Sequence, residues 1–259
     1  MPPEKDWRVA PDDAGDDALQ YLDIAIGYVS RNARYRADYL CALDRVKHGT
    51  VAADDATAKL VRRWGISFHT TPSAAFDPKL AVARLDLSPS GIVLAPPPEG
   101  VDAAQRLDLK TLGTVRARMK IGDFLHVILA DKDGDERLWV SGALDRPLAM
   151  MLPIDPDPFT RLAAAERFCR RLLGMAAGPP TFRPPPFRRR HLLMLLRLLD
   201  GHHAGASRRE LAAALIDDAV RDYNAAEWVE SRERKRIGRW LKEAVELRDG
   251  GYIRLLRGR

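Results

Sequence analysis

The sequence predicts an α+β protein with a helical N-terminal module, a small β-rich centre and a helical C-terminal unit. Three observations carry this expectation. Apolar residues recur at helical spacing over residues 17–65, and strand-like apolar runs separated by turn signals occupy residues 79–141. Helical spacing then returns after Asp157-Pro158. The expected boundaries are 1–75, 76–156 and 157–259, with a Pro-rich connector at 178–186 inside the last segment.

In the first segment, Leu19, Leu22, Ile26 and Val29 share one helical face, and Tyr39, Leu40, Leu43 and Val46 share another. A third helix is expected from about Asp55 to Trp64, with Gly65 placed to end it. In the centre, Lys79 to Leu87 alternates, Ser88-Pro89-Ser90-Gly91 supplies a turn, and Ile92 to Ala95 reads as a second strand. A clearer hairpin joins Phe124–Ala130 to Arg137–Ser141 through Asp131-Lys132-Asp133-Gly134-Asp135, whose Asp-Gly pair provides the positive φ that a tight turn demands.

Asp157 before Pro158 is a helix-start signal. The helix that follows is expected to bury Leu162, Ala165, Phe168, Cys169 and Leu172 and to close at Gly174. The run Gly178-Pro179-Pro180-Thr181-Phe182-Arg183-Pro184-Pro185-Pro186 is extended and stiff. Beyond it, Arg188-Arg189-Arg190 opens a leucine-rich helix expected at the centre of a bundle. Ser207 and Glu210 form a capping box for a short helix through Leu211, Ala214 and Leu215. A polar linker, Asp217 to Asn224, leads to a long helix from Ser231 to Arg248. Either a short extra helix fills Asp218 to Ala226 or the motif is a variant one, because this linker exceeds the three or four residues of a standard helix-turn-helix.

Charge is unevenly distributed. The chain carries 42 Lys+Arg and 36 Asp+Glu, a net +6, but from Arg161 onward there are 22 cationic and 12 anionic residues. Residues 1–160 therefore carry −4, and localised positive charge implies an anionic partner such as nucleic acid. In the last long helix Ile237, Trp240, Leu241, Ala244 and Leu247 share one face. Arg232, Lys235, Arg236, Arg239 and Lys242 fall largely on the other, and the helix also carries Arg234. At 1.5 Å per residue its eighteen residues span about 27 Å, ample for a major groove about 12 Å wide. A basic face is, however, most often plain solvated surface, and Glu233, Glu243 and Glu246 would partly neutralise it.

Other chemistry is not indicated. Asp131 to Glu136 has its glycine at the fourth loop position and Gly142 at the twelfth, so it fits a turn better than a calcium loop. His202 and His203 are adjacent and have no Cys or His partner at ligand spacing. Phosphate-binding glycine loops, nucleophile elbows and recognisable carboxylate pairs are missing, so no enzyme, cofactor or metal is expected. No apolar run approaches the roughly 20 residues that span a bilayer. The opening Met1-Pro2-Pro3-Glu4-Lys5-Asp6 has no apolar signal core. Cys41 and Cys169 form no disulfide framework and are expected as small buried side chains. A reducing cytoplasm is the simple expectation.

Several segments resemble one known family. They are Arg161–Leu172, the Arg-rich leucine helix, Leu199-Asp200-Gly201, Gly205-Ala206-Ser207-Arg208-Arg209-Glu210-Leu211 and Gly250-Gly251-Tyr252-Ile253-Arg254-Leu255-Leu256. They look like a proteobacterial domain of unknown function found in activators and antiactivators of symbiosis-island and conjugative-element excision. The run from Tyr28 to Tyr39, with Arg63-Trp64-Gly65, is similar to the transcriptional-regulator-like module joined to it. The resemblance implies a helix-turn-helix acting on promoters, with Ser207, Arg208, Arg209 and the face from Arg232 to Lys242 as its DNA-facing residues. Asp217-Asp218 departs from the family's usual Phe-Gly at this position.

The expected function is thus duplex-DNA binding and promoter control. Arg232, Lys235 and Arg239 would meet bases or phosphates, Arg208 and Arg209 would position the backbone, and Arg188, Arg189 and Arg190 would add non-specific charge. RNA polymerase or another regulator is a further expected partner. Reading two half-sites would suit a homodimer, though no coiled-coil heptads support one. The rival readings are an antiactivator-type module that binds another regulator and a non-specific nucleic-acid binder. The latter lacks interleaved aromatics in the basic stretch.

Overall fold

The computed structural model describes residues 7–8, 19–68, 78–101, 105–180 and 182–258, so the opening hexapeptide and Thr181 lie outside the described residues. Helices at both ends and strands between them make the protein α+β, as its sequence predicts. Helix α1 (Tyr21–Val29) buries seven of its nine residues, which places it inside the molecule. Helix α2 (Ala33–Lys47) is capped by Asn32, whose Oδ1 accepts from the Arg34 and Tyr35 amides. Its expected apolar face is shallower than the spacing suggests: Tyr35 is buried, whereas Leu40 is 62% exposed. Helix α3 (Ala53–Trp64) stops at Gly65 as expected. That residue sits at φ +74°, and a Cβ there would also meet Leu87 at 2.6 Å, so conformation and space both require glycine.

Strands β1 (Ile66–Phe68) and β2 (Ala81–Ala83) form an antiparallel pair. The main sheet contains β3 (Ile92–Ala95), β4 (Val115–Ile121), β5 (Phe124–Leu129), β6 (Glu136–Ser141) and β7 (Ala149–Met151) in the order β4-β5-β6-β3-β7. The β5–β6 hairpin is the one expected around Gly134, which takes φ +135°.

The other expected hairpin does not form. Turns of 3-10 helix at Pro78–Leu80 and Leu85–Leu87 leave only three strand residues between them, and these pair with β1. Strand β3 instead runs parallel to β6 and antiparallel to β7. Covered on both faces, it reads as a continuous apolar run, whereas a surface hairpin arm would alternate.

Helix α4 (Pro158–Leu172) covers one face of this sheet. Phe168 joins Ile92, Leu94, Val127, Leu129, Leu138 and Val140 there. On the opposite face Val61 of α3 and Val82 meet Met119, Ile121 and Trp139. The stripe expected on α4 is corrected by this packing. Ala165 and Phe168 are buried, but Leu162 and Leu172 are 50% and 46% exposed and Cys169 is exposed. The inward side carries Arg161, Arg167 and Arg171 because carboxylates of the sheet and adjoining loops wait beneath them. Cys41 is likewise exposed, so neither thiol is the buried hydrophobe expected.

The C-terminal helices are α5 (Pro186–His203), α6 (Arg208–Leu215), α7 (Ala225–Glu230), α8 (Arg232–Glu246) and α9 (Tyr252–Leu256). Their buried leucines share one core with α1, β1 and β2. Polar ties reinforce the join. The Tyr28 hydroxyl donates to the Leu192 carbonyl at 2.7 Å, and Arg31 grips Asp200 through two bonds of 2.6 and 2.7 Å. The Tyr252 hydroxyl donates to the Trp64 carbonyl at 2.8 Å. First and last segments therefore hold each other in place.

Candidate nucleic-acid interface

Helices α5, α6 and α8 pack on one another in pairs and present α8 at the surface. Ser207 starts α6: its Oγ accepts from the Glu210 amide at 3.2 Å, while Glu210 accepts from the Ser207 amide at 2.8 Å. That reciprocal bonding, the capping box legible in the sequence, holds the Glu210 carboxyl below its ordinary range. The linker contains a 3-10 turn at Asp218–Asp222, within the stretch where the sequence allows a short extra helix, and then the six-residue helix α7.

Ser231 ends α7 and caps α8, with its Oγ accepting from the Arg234 amide at 3.1 Å. Ile237, Leu241 and Ala244 are buried beneath α8, and the half-buried Trp240 lies beside them. On the far side, Arg232, Lys235, Arg239 and Lys242 are all exposed. Their spacing of three, four and three residues sets them in a stripe about 15 Å long, within about 80° of arc. None of the four is ion-paired or hydrogen-bonded to another described residue.

The glutamates that should neutralise this face are engaged elsewhere. Glu243 pairs with His191 at 3.0 Å, and Glu246 pairs with Arg254 at 2.5 Å. Glu233 sits in the first turn, on the flank between stripe and core. The four cations make no ion pair, so the stripe is cationic along its length, with the exposed carboxylates of Glu243 and Glu246 at its C-terminal end.

Other predicted residues have different surroundings. Arg236 is exposed, with its guanidinium 5.7 Å from the Trp240 ring, and Arg234 donates to the Val229 carbonyl at 2.9 Å. Arg208 is exposed. Arg209 turns back instead, donating to the carbonyls of Val220 at 3.1 Å and Arg221 at 3.0 Å, and to that of Tyr223. Arg188 lies over the Tyr21 ring at 5.7 Å, Arg189 is only 5% exposed, and Arg190 faces solvent. The structure thus gathers Arg232, Lys235, Arg239 and Lys242, and it gives Arg189 and Arg209 inward positions. His203 contacts Arg248 at 3.3 Å, and partial burial with that guanidinium lowers its imidazole pKa. Among the described residues, no group of three His, Cys, Asp or Glu side chains could hold a metal ion.

With this geometry in hand, comparison with protein families defines a class. Residues 6–69 match a proteobacterial transcriptional regulator-like domain, and residues 90–150 match a domain of unknown function. No curated protein matches the chain. The matches support a DNA-binding transcription regulator. More particularly, residues 151–257, which include every element of the basic surface, match the DNA-binding domain described for a T6SS transcription factor. No helix among the described residues is long and apolar enough to cross a membrane.

Proposed function

We propose that α8 is the DNA-reading helix of a variant helix-turn-helix, in which α6 is the first helix and α7 fills the enlarged turn. The observation that carries this is the stripe Arg232–Lys235–Arg239–Lys242, exposed and without ion pairs. Arginines at its start and centre have the fork geometry for guanine edges or phosphate oxygens, and the two lysines supply point charges to the backbone. Arg208 and Arg190 add further cationic contacts. Arg209 acts indirectly by fixing the segment between α6 and α7, and Ser207 by capping the start of α6.

The chain acts through binding and without catalysis, in the cytoplasm where its promoters lie. Resemblance to excision regulators supports a mobile or conjugative element as the source of those promoters. The T6SS description of the matched DNA-binding domain favours secretion genes as a second reading. Genome-wide capture of DNA fragments by the intact protein, repeated with R232A/K235A/R239A, tests the proposal and separates the two gene classes. Discrete promoter fragments captured by the parent and lost in the folded variant are expected. Equal capture by both would remove α8 from the interface.

A further inference from the structure

One side of helix α4 packs on the sheet, and another carries apolar side chains at the surface: Phe159, Leu162 and, at the helix end, Leu173 are 83%, 50% and 74% exposed. The exposed Cys169 lies in the same row. Residues 159, 162, 166, 169 and 173 follow a three-four alternation, which on a helix makes one straight seam. Met175, 56% exposed, lies just beyond the helix end, after the turn at Gly174. At the middle, Glu166 and Arg170 are paired at 2.8 Å, both well exposed. Apolar patches left on a surface mark association sites.

We propose that this face is the two-fold interface of a homodimer, with α4 packed antiparallel against α4 of a second copy. The charge pattern selects that occupant. An antiparallel crossing centred on residue 168 sets Glu166 across from Arg170, twice over, and leaves Leu162 of one copy within one residue of the position opposite Leu173 of the other. A parallel pair would set Glu166 against Glu166. The seam is thus self-complementary, as an isologous interface requires. Its five apolar side chains, at roughly 100 Å² each, supply about 500 Å² of a partner's ~800 Å² share in a standard interface, with a polar rim completing it. Pairing here would give the regulator two copies of α8, suited to two half-sites. The proposal stands without any DNA contact, and its failure would leave the α8 stripe unaffected.

The test uses the full chain without DNA. Sedimentation should give a dimer, and L162D/L173D should raise its dissociation constant at least about a hundredfold, since four leucines leave the seam. Both sites are half exposed or more, so the circular dichroism should not change. Independently, a short bis-maleimide should cross-link the C41S variant through Cys169 and fail with C169S. A monomer at every concentration, a larger ring, a dimer indifferent to L162D/L173D, or cross-linking only through Cys41 would overturn the proposal.

Discussion

Two adjacent arginines show how much a partner decides about a residue. Arg208 faces solvent, whereas Arg209 satisfies three carbonyls of the segment that links α6 to α7. A hydrogen bond involving a charged group contributes a net of about 1.5–3 kcal/mol, and less where the group is partly exposed, as Arg209 is. Arg209→Ala should therefore lower unfolding stability by about 2 kcal/mol in urea titration, and Arg208→Ala by less than about 0.5 kcal/mol. Equal effects would contradict the assignment. Sequence makes the pair look alike because both are cationic at the start of a helix. What separates them is the position of Val220, Arg221 and Tyr223, which only the folded linker sets. Arg189 was illegible for the same reason. Its burial follows from the rotation of α5 against the core, whereas the α8 stripe was legible because its charges oppose a regular apolar face.

At the scale of elements, local signals survived folding wherever the neighbouring residues alone decide the geometry. The Ser207–Glu210 cap, Gly65 and the Gly134 hairpin turn are cases of this kind. Elements defined by distant partners were not legible. Strand β3 pairs with β6 and β7, far along the chain, so its apolar run could be misread as one arm of a hairpin. The inward side of α4 is arginine-rich because Asp131, Glu136 and Asp155 lie below it, and no helical period reveals that.

The cap also makes a pH prediction. Glu210 titrates below its ordinary 4.5 in the folded chain, so its stabilisation is complete above that value and fades as pH falls through the lowered one. Thermal melts should show the advantage of the parent over E210Q shrinking steadily as the solution is acidified below about pH 4.5. An advantage that grew on acidification would contradict the bonding described.

Across the whole molecule, the three sequence segments are bound together by shared apolar cores and a buried ionic network. Arg137 joins Asp23 of α1 at 3.1 Å, with both side chains under a tenth exposed. Nearby, Arg167 and Arg171 of α4 engage Glu136 and Asp131, and Arg116 holds Asp135 at 2.7 Å. Burial raises the carboxyl pKa of both Asp23 and Glu136, with the neighbouring guanidiniums opposing that shift. Such a pair is a poor source of net stability but costly to break singly. Arg137→Ala should cost about 3–5 kcal/mol in denaturant titration, while R137M/D23L should recover most of the loss. A single variant as stable as the parent would show that the pair does not join α1 to the sheet.

Asn32 makes a second join, capping α2 while donating to the Arg248 carbonyl at 3.3 Å and to Asp249 at 3.2 Å. Asn32→Ala should lower stability by about 1–3 kcal/mol and loosen the turn Leu247–Gly251 that follows α8, read as faster amide exchange there. Unchanged exchange at Arg248 and Asp249 would count against this coupling.

The central claim is that the four free cations of α8 meet duplex phosphates and bases, and the salt dependence of DNA affinity tests it most directly. Each phosphate neutralised contributes about −0.9 to the log–log slope of affinity against salt. For the parent, affinity should fall steeply, and R232A/K235A/R239A should flatten the slope by about 2 to 3 while leaving the fold intact. An affinity insensitive to salt, or a variant whose slope matches the parent's, would contradict the account.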